Sequence, residues 1–164
     1  MAASTVIKNL NDGTITLEDG TGTPVTLVVP FSTGDLNVTA LAATQNEVTA
    51  YETRGTLNTV RHTSRTYPTL GFSFQVADYT DVTDFTAQDF VMFQGAYASN
   101  VSTLGANAEV KTIKVTLTVE GTDHGDAADH TIVLDDVHCT MDITEGDPNT
   151  ATISGTVYGS VTRT

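Results

Sequence analysis

Asp123, His124, Asp126, Asp129 and His130 place two imidazoles and three carboxylates within eight residues, a donor set that a divalent cation could take. The spacing fits neither the alternating acids of a calcium loop nor the His-Glu-x-x-His helix of zinc peptidases. The cluster lies between two alternating segments, so it is a solvated hairpin loop first and a metal site second. His62, His124, His130 and His138 are the available general bases, and none has a Ser, Cys or acid partner at a recognised spacing. There is no G-x-S-x-G, and Ser154-Gly155 lies inside a strand pattern rather than on a strand-to-helix elbow. Gly13 and Gly20-Thr21-Gly22 are turn glycines that lack the P-loop lysine and the dinucleotide pattern. Cys139, the single cysteine, sits among alternating apolar residues, where a small core side chain belongs. The expectation is a protein without catalysis or cofactor. Tyr51, Tyr67, Tyr79, Tyr97 and Tyr158 could include sugar-stacking rings, although Trp is absent. Tyrosine at a strand end or a subunit contact is the simpler role.

Charge is distributed more tellingly than any motif. Arg54, Arg61 and Arg65 are three of only seven cationic side chains, and no Asp or Glu occurs from Thr53 to Ala77. The rest of a chain with net charge −13 is strongly acidic. Exposed arginines without local acids need partners elsewhere, and two complementary surfaces on one chain favour head-to-tail contacts, which close into rings or run on as filaments. A pI of about 4.3 argues against nucleic-acid binding by phosphate neutralisation. It is compatible with a surface past which nucleic acid moves without sticking, or with acidity that only maintains solubility.

The elements that must position these residues are mostly strands. Thr is about a fifth of the chain and Val follows, both β-branched. At 164 residues one domain, 1–164, is expected to bury its own core without disulfides. No segment reaches the ~18 apolar residues of a membrane span, and the first residues lack the basic and apolar regions of a signal peptide. Alternation predicts strands near 4–10, 14–18, 24–31, 35–41, 70–76, 110–120, 130–135, 137–144 and 152–162. In 110–120 Thr112 falls on the polar face, and in 137–144 Ile143 falls on the apolar one. Gly155 and Gly159 on an apolar face imply a close neighbour. One helix is expected over 82–95, capped by Asp81, Thr83 or Asp84 and stopped at Gly95. Residues 42–66 are polar and irregular, predicting an exposed arm, loop or hairpin, with Leu57 and Val60 able to support a two-stranded flap.

This order of features resembles the tail tube (major tail) proteins of long-tailed bacteriophages. It rests on TVIKNLNDGTITLEDGTGTPVTLVVPFSTGDLNV, on the arm ETRGTLNTVRHTSRTYPTLGFSFQV, on the helix DVTDFTAQDFVMF, and on HTIVLDDVHCTMDITEGDPNTATISGTVYGSV, together most of the chain. The resemblance implies a mainly β, antiparallel sandwich or barrel-like fold with one flanking α-helix and a long extended loop or hairpin. It implies homohexameric rings stacked into a tube in the virion tail, assembled in the bacterial host cytoplasm. A tape-measure protein and then DNA would occupy the lumen, with terminator and tail-tip proteins at the ends and no membrane insertion. It assigns 42–66 to contact with the neighbouring ring, and so Arg54, Arg61 and Arg65 to subunit contact. Alternatives are a terminator or tail-tip protein of the same fold, a virion decoration protein, or a carbohydrate-binding sandwich module.

Overall fold

Alternation of β-branched residues dominates the chain. The computed structural model describes residues 13–29, 36–39, 46–75, 86–121, 127–147 and 149–164, with backbone only at 46–48, 62–63, 65 and 86. Among these residues the alternation becomes ten strands and one short α-helix. The strands are β1 (Thr14–Glu18), β2 (Thr26–Val29), β3 (Asn37–Thr39), β4 (Asn46–Thr53), β5 (Thr56–Arg65), β6 (Thr69–Gln75), β7 (Ile113–Val119), β8 (His130–Thr144), β9 (Thr150–Val157) and β10 (Val161–Arg163). Eight of them form one antiparallel sheet in the order β2-β1-β7-β8-β9-β6-β3, with β10 also beside β8, while β4 and β5 pair only with each other. The mainly β architecture with one flanking helix is the one expected; the first expected strand, 4–10, lies outside the described residues.

β7 shows the rule most simply. Ile113, Val115, Leu117 and Val119 are buried, and Lys114, Thr116 and Thr118 between them are half-exposed. The inner residues of β1, β6, β7, β8 and β9 meet in one apolar cluster, with Phe72, Ile15, Leu17, Leu134 and Ile153 fully enclosed.

What curves the sheet around that cluster is a corner in β8. The expected strands 130–135 and 137–144 are one strand that changes face midway: Leu134 and Val137 are both buried, three residues apart. Asp136 takes φ 52°, and the register against β7 slips between Ile113 and Val115, as at a β-bulge. The opposite edge breaks at the same place. β9 ends with Val157 opposite Val137 and β10 resumes with Val161 opposite Leu134, so the expected single strand 152–162 is two. A Cβ on Gly159 would lie 2.7 Å from the Asp135 carbonyl oxygen, and one on Gly155 would lie 2.7 Å from Val137 Cγ1. The close neighbour of both glycines is therefore β8 itself. Beyond the core β8 runs on into solvent, and Ile143, expected on the apolar face, is half-exposed.

Helix α1 (Thr86–Met92) inserts Phe90 and Val91 into the cluster, and the Phe90 ring meets Tyr97 edge-on at 5.0 Å. Residues 82–85 of the expected helix lie outside the described residues. The helix stops before Gly95: Phe93 adopts the left-handed conformation (φ 55°). Its N–H donates to Phe90 O, and that of Gln94 to Asp89 O, the paired bonds of a Schellman ending. A bulky residue holds this strained position because its ring is buried and Lys111 clamps it. Lys111 Nζ lies 5.5 Å from the ring centroid and donates to Met92 O at 2.8 Å, a cation at the negative end of the helix.

Two loops are locked together by polar groups that the core does not need. Ser102 Oγ donates to Val110 O and accepts the Thr112 N–H, and Thr112, expected outside, is fully buried. Asp19, also buried, accepts the N–H groups of Val25 (2.7 Å) and Val101 (3.2 Å) and the Thr21 hydroxyl. Burial alone would raise its pKa, but these donors together hold it below the ordinary value of 3.8. A depressed carboxylate stabilises the fold fully above its unfolded pKa and loses that contribution as pH falls through the folded one. Asp19→Asn should cost about 1–3 kcal/mol in urea unfolding at pH 7. Between pH 4 and pH 2 the variant should lose less stability than the wild type; parallel losses would remove Asp19 from the account.

Candidate functional site

The arginines sit on the β4–β5 hairpin. Thr53 pairs with Thr56, which leaves Arg54-Gly55 as a two-residue loop, and both take positive φ (49° and 77°). This is the type I′ turn, whose twist matches that of the strands it joins. Asn58 Nδ2 donates to Thr53 Oγ1 and braces the tip. The register then sets Arg61 opposite Thr49 and Arg65 opposite Asn46, with irregularities between Tyr51 and Glu52 and between Asn46 and Val48. Arginine thus occupies the tip, the middle and the base. At ~3.3 Å per residue the row extends for roughly 35 Å. Such a row has no single focus for a small anion and suits an extended partner.

The hairpin has no interior. Every residue from Thr49 to Arg61 is exposed, including the large apolar side chains of Tyr51, Leu57 and Val60. A two-stranded ribbon alone in water is marginal at best. Apolar side chains on both strands, Tyr51 on β4 and Leu57 and Val60 on β5, stand in water around a well-formed turn. Arg54 and Arg61 have no carboxylate partner among the described residues, whereas Lys114, on the body, is paired with Glu18 across β7 and β1.

The other candidates divide. Asp129 Oδ1 accepts the Gly121 N–H, and Asp123, His124 and Asp126 lie outside the described residues. Among the described residues no three His, Cys, Asp or Glu side chains converge. The side chain of His62 is likewise outside them. His138 Nδ1 lies 3.0 Å from the Lys111 carbonyl oxygen, which can only accept, so this nitrogen carries the proton. Cys139 is enclosed, and burial pushes its thiol up to about 12, far from a nucleophile's range. Ser154 is exposed within β9; its carbonyl oxygen accepts from the Thr140 hydroxyl, and among the described residues no hydrogen bond joins its own hydroxyl to a base.

Sequence reasoning missed the Arg54-Gly55 turn. Its signal was a glycine after a polar residue between two β-branched runs, disguised because Asn or Asp usually precedes that glycine. It also missed the buried Asp19, for which an acid between Glu18 and Gly20 gives no sign of three convergent donors.

No family model matches the sequence, and no curated protein does either. Solved structures do share the fold. A chain of the sheath–tube complex of an extracellular contractile injection system (PVC, extended state) superposes with a TM-score of 0.61 at 11% identity, over 99% of each chain. One from the sheath/tube terminator of that system gives 0.56 at 12% identity, covering 100% of this chain and 98% of that one. One from the baseplate of the anti-feeding prophage gives 0.50 at 12% identity, covering 100% and 97%. At such identities the likeness is one of fold.

Proposed function

We propose that the chain is a structural subunit of a tail tube, a protein that assembles with copies of itself into stacked rings around a lumen and has no catalytic role. The observation that carries this reading is a fold shared over 99% of its length with a component of a sheath–tube complex. The uncovered arginine hairpin supports it: the body supplies the opposite charge, and Arg54, Arg61 and Arg65 would meet acids of a neighbouring subunit. The whole of 1–164 then acts as one domain with 42–66 as its arm. Homohexameric rings in the tail of a bacteriophage virion, assembled in the host cytoplasm, are the form proposed. The tape-measure protein and then DNA would occupy the channel. With a net charge of −13 on every subunit, acids lining a lumen would repel passing phosphates. A terminator or tail-tip role uses the same fold and would give single rings rather than tubes.

Negative-stain microscopy of the purified chain decides the matter. Rings or tubes with a central channel are the expected result. A monodisperse monomer at high concentration, with no tube on ageing, would overturn it.

A further inference from the structure

A second surface lies away from the hairpin. The outward side chains of β3, β6, β9 and the second half of β8 form a concave groove of about 360 Å³, within the range of roughly 300–1,000 Å³ usual for small-ligand sites. Its polar lining comes from Asn37, Thr69, His138, Thr140, Ser154 and Thr156. In a chain this acidic, no Asp, Glu, Lys or Arg lines the groove among the described residues. It therefore offers a cation no carboxylate and an anion no counter-charge. What it offers is hydroxyls, each able to donate once and accept twice, and an amide. Thr39 and Thr69 already share one hydrogen bond at 2.6 Å, which uses only part of that capacity. His138 adds a ring nitrogen: Nδ1–H is committed to the Lys111 carbonyl, which leaves Nε2 for a ligand.

Aromatic surface lies just past one end of the lining. Thr69 faces Thr156 across β6 and β9, and two residues beyond each of them Tyr67 stands beside Tyr158, ring centroids 4.9 Å apart. Both rings are more than a third exposed. Tyrosine pairs an apolar face with a hydroxyl, the combination that meets the C–H face and the hydroxyl rim of a sugar ring.

We propose that the groove beside Tyr67 and Tyr158 binds a neutral saccharide, its hydroxyls exchanging hydrogen bonds with Thr69, Thr156, Asn37 and His138 Nε2 while one sugar ring rests against the tyrosine pair. The proposal does not rest on the tube assignment.

The test is isothermal titration of the full-length protein with maltotetraose, cellotetraose and chitotetraose, and with tetragalacturonate as an anionic control. Saturable binding of at least one neutral tetrasaccharide is expected. Tyr158→Ala should weaken it roughly three- to ten-fold, Ser154→Lys should abolish it, and Tyr51→Ala on the hairpin should leave it unchanged. The same variants are examined for rings by microscopy. No binding of any neutral sugar overturns the proposal, as does binding that ignores Tyr158 and Ser154. If the groove variants lose rings while sugar never binds, the face is a subunit contact instead. Sugar binding by a wild-type chain that forms no rings would sustain this site and remove the tube assignment.

Discussion

Gly20→Ala should destabilise the fold by about 3 kcal/mol or more, while Gly22→Ala, two residues away in the same turn, should change stability by less than about 0.5 kcal/mol. On sequence the two glycines are equivalent. In the structure a Cβ on Gly20 would lie 2.4 Å from the Ser102 carbonyl oxygen and 2.8 Å from Thr103 Cα, all backbone, whereas nothing stands within 4 Å of one on Gly22. The Gly20 N–H also donates to Val101 O at 2.7 Å, so the two loops cannot separate without losing that bond. Asp19 also accepts the Val101 N–H, and Ser102 is itself tied to Thr112, so the added methyl must break a network rather than push aside one side chain. For a domain of this size, about 3 kcal/mol corresponds to a fall in Tm of roughly 10 °C. Thermal unfolding of the two variants side by side measures it; equal melting temperatures would show that the loops yield freely.

That contrast marks where the sequence is legible and where it is not. Period-two alternation reports which face of a strand meets the core, so Ile113, Val115 and Leu117 in β7 and Leu70, Phe72 and Phe74 in β6 were placed correctly from their spacing. Alternation carries no signal for a change of face within a strand. The corner at Asp135–Asp136 depends on a left-handed residue that Asp can supply without a glycine to mark it, so one bent β8 was expected as two strands and the β9–β10 break as none. The helix ending at Phe93 was hidden for the same reason, since glycine two residues later is the usual marker. Polar anchors such as Asp19 and Thr112 are set by donors up to 82 residues distant in sequence, and local pattern cannot see them. The hairpin was half legible: the lack of a clear apolar face predicted exposure, and the register that spreads the three arginines along it came only with the backbone.

Replacing Arg54 by Asn and both Arg61 and Arg65 by Gln should leave the fold intact and raise the protein concentration needed for assembly about ten-fold or more. The fold should survive because Arg54 and Arg61 are exposed and make no ion pair among the described residues, and Asn tolerates the left-handed conformation at position 54. The assembly effect follows from small numbers repeated. An exposed ion pair contributes roughly 0.2–1 kcal/mol, so three of them contribute about 1.5 kcal/mol per subunit contact, and each 1.4 kcal/mol is a factor of ten in association. Removing three positive charges also takes the net charge from −13 to −16, which increases the repulsion between copies. Both effects are electrostatic, so both should fade with salt, as the screening length falls from about 8 Å at 0.15 M to about 3 Å at 1 M. Sedimentation of assembled material, read against microscopy at the two salt concentrations, should therefore show a wide gap between variant and wild type at low salt and a narrow one at high salt. Identical assembly at 0.15 M would sink the hairpin's role. A gap that persisted undiminished at 1 M would mean that the arginines act through shape and hydrogen-bond geometry rather than charge, and the contact would then be sought around Tyr51, Leu57 and Val60, whose exposed apolar surface salt cannot screen.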